Sequence, residues 1–195
     1  MCRLGGGLSA AATLVLLRLM NKLKNPYFWV AAIIGLALDQ LTKLWVVNNF
    51  ELTIPPETIP LWPGVFHLTY VTNTGAAFSL FSENGDWLRW LSLLVSLALI
   101  ALGLLVTLAN RWEQVGYGCI LSGAVGNGID RFLNGEVVDF FDFRLIRFPI
   151  FNVADVCINI GIACLIIAAF RVSHDDTSGG NGGKPAKKGG KKLNS

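Results

Sequence analysis

Four apolar runs, each about as long as a bilayer-crossing helix, constrain the fold of this 195-residue sequence more than any other feature. An α-helix needs about 20 mostly apolar residues to cross the hydrocarbon core. One such run is also typical of a core helix in a soluble protein, but four in one short chain argue against that interpretation. We therefore predict four membrane-spanning helices, at residues 28–47, 87–109, 115–134 and 152–170.

The composition supports a membrane protein and excludes several other classes. Hydrophobic residues make up 53% and charged residues 15% of the chain, and the mean hydropathy is +0.53. Soluble domains carry about 25% charged residues. Residues 175–195 contain five Lys and two Asp, whereas residues 1–174 contain 11 basic and 11 acidic residues, so the net charge of +3 belongs to the tail. We expect no nucleic-acid partner.

The basic residues predict how the helices are oriented in the membrane, because Lys and Arg are concentrated in cytoplasmic segments. Residues 48–86 contain neither Lys nor Arg, and only Arg144 and Arg147, between the third and fourth runs, count against the pattern. The cytoplasmic assignment rests on the five tail lysines and on Arg3, Arg18, Lys22, Lys24, Arg111 and Arg171. We predict that both termini are cytoplasmic and that residues 48–86 and 135–151 lie outside.

The same patterns divide the chain into three parts. Residues 1–27 form a cytoplasmic N-terminal segment in which Met20 is an alternative start, residues 28–171 form the membrane domain, and residues 172–195 form a disordered, Lys-rich cytoplasmic tail. In the outer insertion, residues 48–86, the alternating sequence FHLTYVTN predicts a strand. We expect turns before this strand, where Pro55, Pro56, Pro60 and Pro63 lie.

Polar side chains gather at one predicted depth of the bundle. Asp39 and Lys43 are four residues apart on the first helix, which favours an ion pair. Ionisable residues inside spans are costly and therefore indicate function, although this pair is also explained as a structural anchor between helices. The third helix carries Asn127, Asp130 and Arg131 on one face, and the fourth carries Asn152, Asp155 and Asn159. In the predicted orientation these groups lie toward the outside, near Asp139.

Small residues on the third helix predict close packing between helices. Gly118, Ser122 and Gly126 recur every four residues, and this spacing lets helix backbones approach each other in membranes. Asn73 and Gly75 follow the predicted strand and either line a site or form an ordinary turn.

The available chemistry is that of carboxyl groups. The two histidines lie far apart and the four cysteines form no CxxC pair, so we expect no metal site, disulfide framework or other cofactor. Asp139 and Asp155 flank one short connection, and two close acids have pKa values pushed apart, as in aspartic proteases. A small transporter or proton-conducting protein that uses the same acids remains an alternative, as does a scaffold that binds lipid or partner helices.

Five motifs, in order along the chain, resemble those of the lipoprotein signal peptidase (signal peptidase II) family. They are LDQLTK at 38–43, NTGAAFS at 73–79, GNGIDR at 126–131, VVDF at 137–140 and FNVAD at 151–155. The resemblance implies an all-α membrane protein with four transmembrane helices and a small extracytoplasmic β-cradle. It also implies an integral-membrane aspartic endopeptidase of the bacterial cytoplasmic (inner) membrane, with its active site near the outer face. Such an enzyme removes the signal peptide from diacylglyceryl-modified prolipoproteins by cleaving before the lipidated cysteine.

The resemblance also assigns roles to individual residues. It implies that Asp139 and Asp155 are the catalytic dyad. It implies that the site is shaped or supported by Asp39, Lys43, Asn73, Gly75, Asn127, Arg131, Asn152 and Ala154. We expect a monomer whose partners are the prolipoprotein and membrane lipid. We also expect the apolar walls of the second and fourth helices to accept the lipid chains, and the outer β element to cover the peptide.

Overall fold

The computed structural model describes residues 24–75, 86–146 and 148–178. They form four helices, α1 (Pro26–Asn49), α2 (Asp86–Leu105), α3 (Arg111–Leu133) and α4 (Val153–Ser178), and three strands, β1 (Thr58–Trp62), β2 (Phe66–Asn73) and β3 (Val137–Phe143). Most of the predicted N-terminal segment and tail, and residues 76–79 of the NTGAAFS motif, lie outside the described residues. The predicted tail begins at residue 172, but residues 172–178 are helical, since extending an existing helix needs no new nucleus.

Each of the four apolar runs falls mainly on one helix, although α2 ends at Leu105, four residues before the predicted end at 109. Three of these helices meet the requirements of a membrane span. Within the described residues, the helices long and apolar enough to cross a bilayer are Pro26–Asn49, Trp87–Leu105 and Val153–Arg171. Helix α3 is 23 residues long but less apolar, because glycines and polar side chains occupy much of its surface. The chain is therefore a mostly helical membrane protein with three candidate spans and a small sheet.

Helix α3 lies at the centre of the bundle and contacts α1, α2 and α4. Its glycines make this packing close: a Cβ atom on Gly118 would overlap the backbone carbonyl of Phe28, and one on Gly123 would overlap that of Ala154. Ser122 is buried against Gly35 of α1. The small residues thus lie at helix contacts, as their spacing predicted.

Asn25 joins the beginning of α1 to the end of α2. Its buried Nδ2 donates to the carbonyl oxygens of Gly103 at 2.9 Å and Val106 at 2.7 Å, and its Oδ1 accepts from the Leu108 amide at 2.9 Å. These bonds satisfy backbone groups that the end of α2 would otherwise leave unpaired. They also fix how α1 and α2 pair at this end of the bundle.

The three strands form one antiparallel sheet in the order β1-β2-β3. Strand β2 coincides with the predicted strand. The expectation of turns alone before it is wrong for Thr58–Trp62, because Pro60 lies on an edge strand, where a missing amide donor is tolerated. Strand β3 was not predicted from the sequence.

The sheet packs against the C-terminal end of α1. The shared core consists of Val46, Phe50, Tyr70, Val138 and Phe140. Strand β3 follows α3 directly, and it pairs with β2 so that Asp139 lies opposite Val71 and Val137 lies opposite Asn73. This register brings Asp139 to the end of the bundle where α4 begins.

Candidate active site

Asp139 is a buried carboxyl group on β3 that two asparagines hold in place. Asn152 Nδ2 donates to its Oδ1 at 2.7 Å, and Asn73 Nδ2 donates to its Oδ2 at 3.2 Å. The side chain is only 3% exposed. Burial, together with the nearby charge of Asp155, raises the pKa of Asp139 to about 7. This carboxyl group can therefore carry a proton near neutral pH.

Asp155 lies in the first turn of α4 and forms a reciprocal cap with Asn152. The Asp155 amide donates to Asn152 Oδ1 at 3.0 Å, and the Asn152 amide donates to Asp155 Oδ2 at 3.2 Å. This is the capping-box arrangement, which satisfies amides at a helix N-terminus. The free backbone amides at this end of the helix carry partial positive charge and lie beside the Asp155 carboxyl group.

The amide of Asn152 connects the two acids. Its Nδ2 lies near Asp139 and its Oδ1 near the Asp155 amide, so one buried side chain, at 0% exposure, sets the position of both. Asp139 and Asp155 line the same cavity of about 500 Å³. The structure therefore brings together the two residues predicted as the dyad.

Asn127 of α3 is a second side chain that holds Asp155, and it connects this acid to the buried Lys43. Asn127 Nδ2 donates to Asp155 Oδ1 at 2.9 Å, while its Oδ1 accepts from Lys43 Nζ and from Asn152 Nδ2, each at 3.0 Å. Because both lone pairs of Oδ1 face donors, the amide cannot flip without losing bonds. Lys43 thus fixes the orientation of the group that holds Asp155.

Lys43 is itself held between two carboxylates. Its Nζ lies 3.0 Å from Asp39 Oδ2 and 2.8 Å from Asp130 Oδ2. Asp39 Oδ1 also accepts from the Ala154 amide at 2.8 Å, and Gln40 Nε2 donates to Asp39 Oδ2 at 3.1 Å. The predicted ion pair on α1 therefore exists, and it ties α1 to the first turn of α4.

Arg131 and Gly75 lie on the other side of the cavity. Arg131 Nη2 donates to the Gly75 carbonyl oxygen at 3.2 Å, and the Gly75 amide donates to Asn73 Oδ1 at 3.0 Å. Arg131 Nη1 also donates to the Asn127 carbonyl oxygen at 3.4 Å. These bonds connect α3 with the segment that follows β2 and place a cation near both acids.

The predicted site residues fall into two groups. Those that line the cavity are Asp139, Asp155, Asn73, Gly75, Asn127 and Arg131. Those that lie behind it and hold the lining groups are Asp39, Lys43, Asn152 and Ala154. Within the described residues, no group of three or more His, Cys, Asp and Glu side chains is arranged to hold a metal ion.

Sequence reasoning left out three polar groups of the site and the segment 148–151, which completes the apolar wall expected on the fourth helix. Asn159 lines the cavity but was recognised only as sharing a face of α4. Asp130 was recognised as sharing a helix face but was not assigned to the site, and Gln40 was not assigned although it lies within the LDQLTK motif. The apolar wall is formed by Phe148, Pro149, Ile150, Phe151, Val156, Ile158 and Ile160. Its segment 148–151 precedes α4 and carries no polar residue that would have marked it.

The fold and the site define a membrane protein in which a buried acid, Asp139, and a half-buried one, Asp155, line a largely apolar cavity. A family model described as signal peptidase (SPase) II matches residues 31–171. The chain therefore belongs to the signal peptidase II family of membrane proteases. This membership favours the peptidase interpretation over the transporter alternative.

Individual relatives agree with this assignment. The chain is 72% identical over 147 residues to a lipoprotein signal peptidase of Cyanothece sp. (strain PCC 7425 / ATCC 29141), covering 75% of this chain and 85% of the relative. It is 64% identical over 149 residues to that of Thermosynechococcus vestitus, covering 76% and 94%. A bacterial membrane enzyme structure determined in meso at 2.3 Å matches with a TM-score of 0.67 and 30% identity, covering 80% of this chain and 93% of that one.

Proposed function

We propose that this chain is an aspartic endopeptidase that removes the signal peptide from diacylglyceryl-modified prolipoproteins by cleaving before the lipidated cysteine. The observation that carries the proposal is the shared Asn152, which holds Asp139 and Asp155 beside one cavity. The relatives named lipoprotein signal peptidase support the choice of substrate.

The two acids divide the proton transfers of peptide hydrolysis between them. Asp155 accepts a proton from a water molecule that attacks the scissile carbonyl carbon. Asp139, whose pKa is near 7, donates its proton to the carbonyl oxygen. As the C–N bond breaks, the proton held by Asp155 passes to the leaving nitrogen. Asp139 takes back a proton from a hydroxyl group of the tetrahedral intermediate, which re-forms the carbonyl and restores both acids. The reaction draws on no cofactor.

The supporting residues keep this pair in position. Asn152 and Asn127 orient the carboxyl oxygens, and Lys43 fixes Asn127 from behind. Asp39 fixes the Ala154 amide at the beginning of α4. On the opposite side, Asn73, Gly75 and Arg131 form a polar rim that is suited to bind the peptide backbone of the substrate.

All four helices span the membrane in this proposal, including the less apolar α3. Its polar residues are compatible with a span because they face other helices: Asn127 and Asp130 are buried, and Lys43 bonds both. The distribution of Lys and Arg supports cytoplasmic termini and an active site near the outer face of the bacterial inner membrane. Asp155, in the first turn of α4, then lies near the outer boundary of the hydrocarbon.

The lipid and the peptide approach this site from different sides. The apolar cavity wall of α4 and residues 148–151 suits acyl chains that remain in the bilayer, whereas strands β2 and β3 cover the cavity above the peptide. The active form in this proposal is a monomer.

Substitution of each acid tests the proposal. The full chain is purified in detergent and given a synthetic diacylated precursor peptide. Asp139→Asn and Asp155→Asn should each lower kcat by about 1,000-fold or more, because the acids act as a unit. Asp142→Asn is the matched control, since Asp142 lies on the same strand but bonds Thr69 and Arg144 away from the cavity. Cleavage by either dyad variant at the wild-type rate would contradict the proposal. So would pH-dependent ion flux through the wild-type protein without a cleaved product.

A further inference from the structure

Asn159 is a polar residue in the otherwise apolar part of the cavity wall that α4 contributes. Its neighbours in that wall are Val156, Ile158 and Ile160, and its own side chain is exposed. An amide at membrane depth costs free energy unless it finds hydrogen-bond partners. Packing within the bundle therefore does not explain why an amide side chain lies at this position.

The hydrogen bonds of Asn159 leave part of its amide free. Nδ2 donates to the Asp155 carbonyl oxygen at 2.8 Å, a bond within the same helix. Among the residues that the structure describes, no other group bonds the side chain of Asn159. Because an amide nitrogen has two N–H groups, one donor of this cavity-lining side chain has no partner among the described residues.

The position of Asn159 along α4 corresponds to a defined part of a lipidated substrate. It follows Asp155 by four residues, which is one helical turn and about 6 Å along the axis. A cysteine that carries a diacylglyceryl group extends a similar distance from the scissile bond through its Cα, Cβ, sulfur and glyceryl carbons to the ester groups. When the scissile bond lies at the dyad, the ester carbonyls lie at the level of Asn159.

We infer that Asn159 determines specificity for the ester-linked lipid by donating its free N–H to an ester carbonyl of the diacylglyceryl group. Ester oxygens only accept hydrogen bonds, which matches the free donor. This inference rests on the proposed function, because it takes the lipidated cysteine as the substrate. Asn159 acts in it as a recognition residue, and the dyad alone performs the chemistry.

Two substrates that differ only in their lipid linkage test the inference. One peptide carries the diacylglyceryl ester, and the other carries ether-linked chains of the same length, which lack the carbonyl acceptors. Both are assayed in ester-free detergent micelles, so that the substrate is the only source of ester groups. The wild type should prefer the ester, by kcat/KM, by roughly fivefold to tenfold, the effect of one hydrogen bond.

Substitution of Asn159 should remove this preference. Asn159→Leu, which keeps the approximate size, should lower kcat/KM for the ester to the value for the ether and leave the ether substrate nearly unchanged. Asn159→Gln, which keeps the amide, should recover part of the preference. Ile162→Leu is the matched control, because Ile162 is exposed on the same helix but does not line the cavity.

The outcomes separate this inference from the proposed function. An unchanged ester preference in Asn159→Leu, or an equal loss of activity on both substrates, would overturn the role of Asn159 while leaving the peptidase intact. A wild type that cleaves neither lipidated peptide would overturn the proposed function itself.

Discussion

The side chain of Asn152, which caps helix α4, donates a 2.7 Å hydrogen bond to Asp139 on strand β3. The same asparagine accepts the Asp155 amide at 3.0 Å. One residue thus stabilises the N-terminus of α4 and aligns the acid pair. These two roles can be separated by choosing the replacement.

Asn152→Ser keeps a capping oxygen but is too short to reach Asp139. We expect kcat to fall by about 100-fold, since loss of positioning of a catalytic group costs roughly this much. Asn152→Ala should lose similar activity and also about 1 kcal/mol of stability, because it removes the cap. Kinetics on a diacylated peptide and chemical unfolding of both variants measure the two effects. Full activity in Asn152→Ser would show that the bond to Asp139 is dispensable.

The raised pKa of Asp139 predicts how activity depends on pH. Burial and the charge of Asp155 bring this pKa to about 7, and the proposed reaction needs Asp139 protonated. The pH dependence of kcat/KM reports the ionisable groups of the free enzyme, so kcat/KM should decline as pH rises through about 7. A pH series from 5 to 9 on one peptide measures this, and a profile that rises over the same interval would contradict the assignment of Asp139 as the acid.

The same pKa shift makes a separate prediction about stability. Asp139 titrates near 3.8 when unperturbed and near 7 in the folded chain, so the folded state binds the extra proton between these values. The stability that this proton contributes is complete below about pH 4 and is lost as pH rises to about 7. Because Asn does not titrate, the Tm of Asp139→Asn minus the Tm of the wild type should increase as pH rises from 5 to 8. A constant difference across that range, measured by thermal unfolding in micelles, would contradict it.

Lys43 is expected to matter most for stability, because it is 4% exposed and lies between the carboxylates of Asp39 and Asp130. Removing one partner of a buried ion pair leaves an uncompensated charge and costs about 3–5 kcal/mol. Lys43→Met should therefore unfold far more easily than the wild type. The triple variant Lys43→Met, Asp39→Asn, Asp130→Asn removes all three charges and should recover most of the loss. A triple variant no more stable than the single one would contradict this electrostatic account.

The sequence predicts the helices and one strand well, since hydropathy and alternation are local properties. The FHLTYVTN segment alternates from Phe66 to Tyr70 and is the strand β2, whose register shifts between Leu68 and Val71. In contrast, β1 contains Pro60, and β3, with the sequence VVDFFDF, carries both apolar residues and an aspartate on each face. Because β3 is buried between the bundle and β2, its sequence does not alternate between apolar and polar residues, and the pattern that predicts a strand is absent.

The acid pair was predictable, but the bonds that hold it were not. Topology and motif resemblance brought Asp139 and Asp155 to one end of the bundle. The pairing of Lys43 with Asp130, and the two roles of Asn152, depend on how α1, α3 and α4 are rotated about their axes. The rotation of each helix is set by how its glycines pack against neighbouring side chains and backbone. The spacing of small residues predicts which face of a helix makes the contact, but it does not predict the residues on the other side of that contact.

Gly123 tests whether close packing of α3 on α4 positions the site. A Cβ atom there would overlap the Ala154 carbonyl oxygen and lie 2.5 Å from Ile158 Cγ1, so the first turn of α4 must move. Because Ala154 precedes Asp155, we expect Gly123→Ala to cost about 1–3 kcal/mol of stability and at least tenfold in kcat. Gly128→Ala is the matched control on the same helix, since its Cβ would lie 3.2 Å from Ser92 Cβ on α2, away from the acids. Unfolding and cleavage assays on both variants decide the matter: equal loss of activity in the two would mean that α3–α4 packing does not specifically position Asp155.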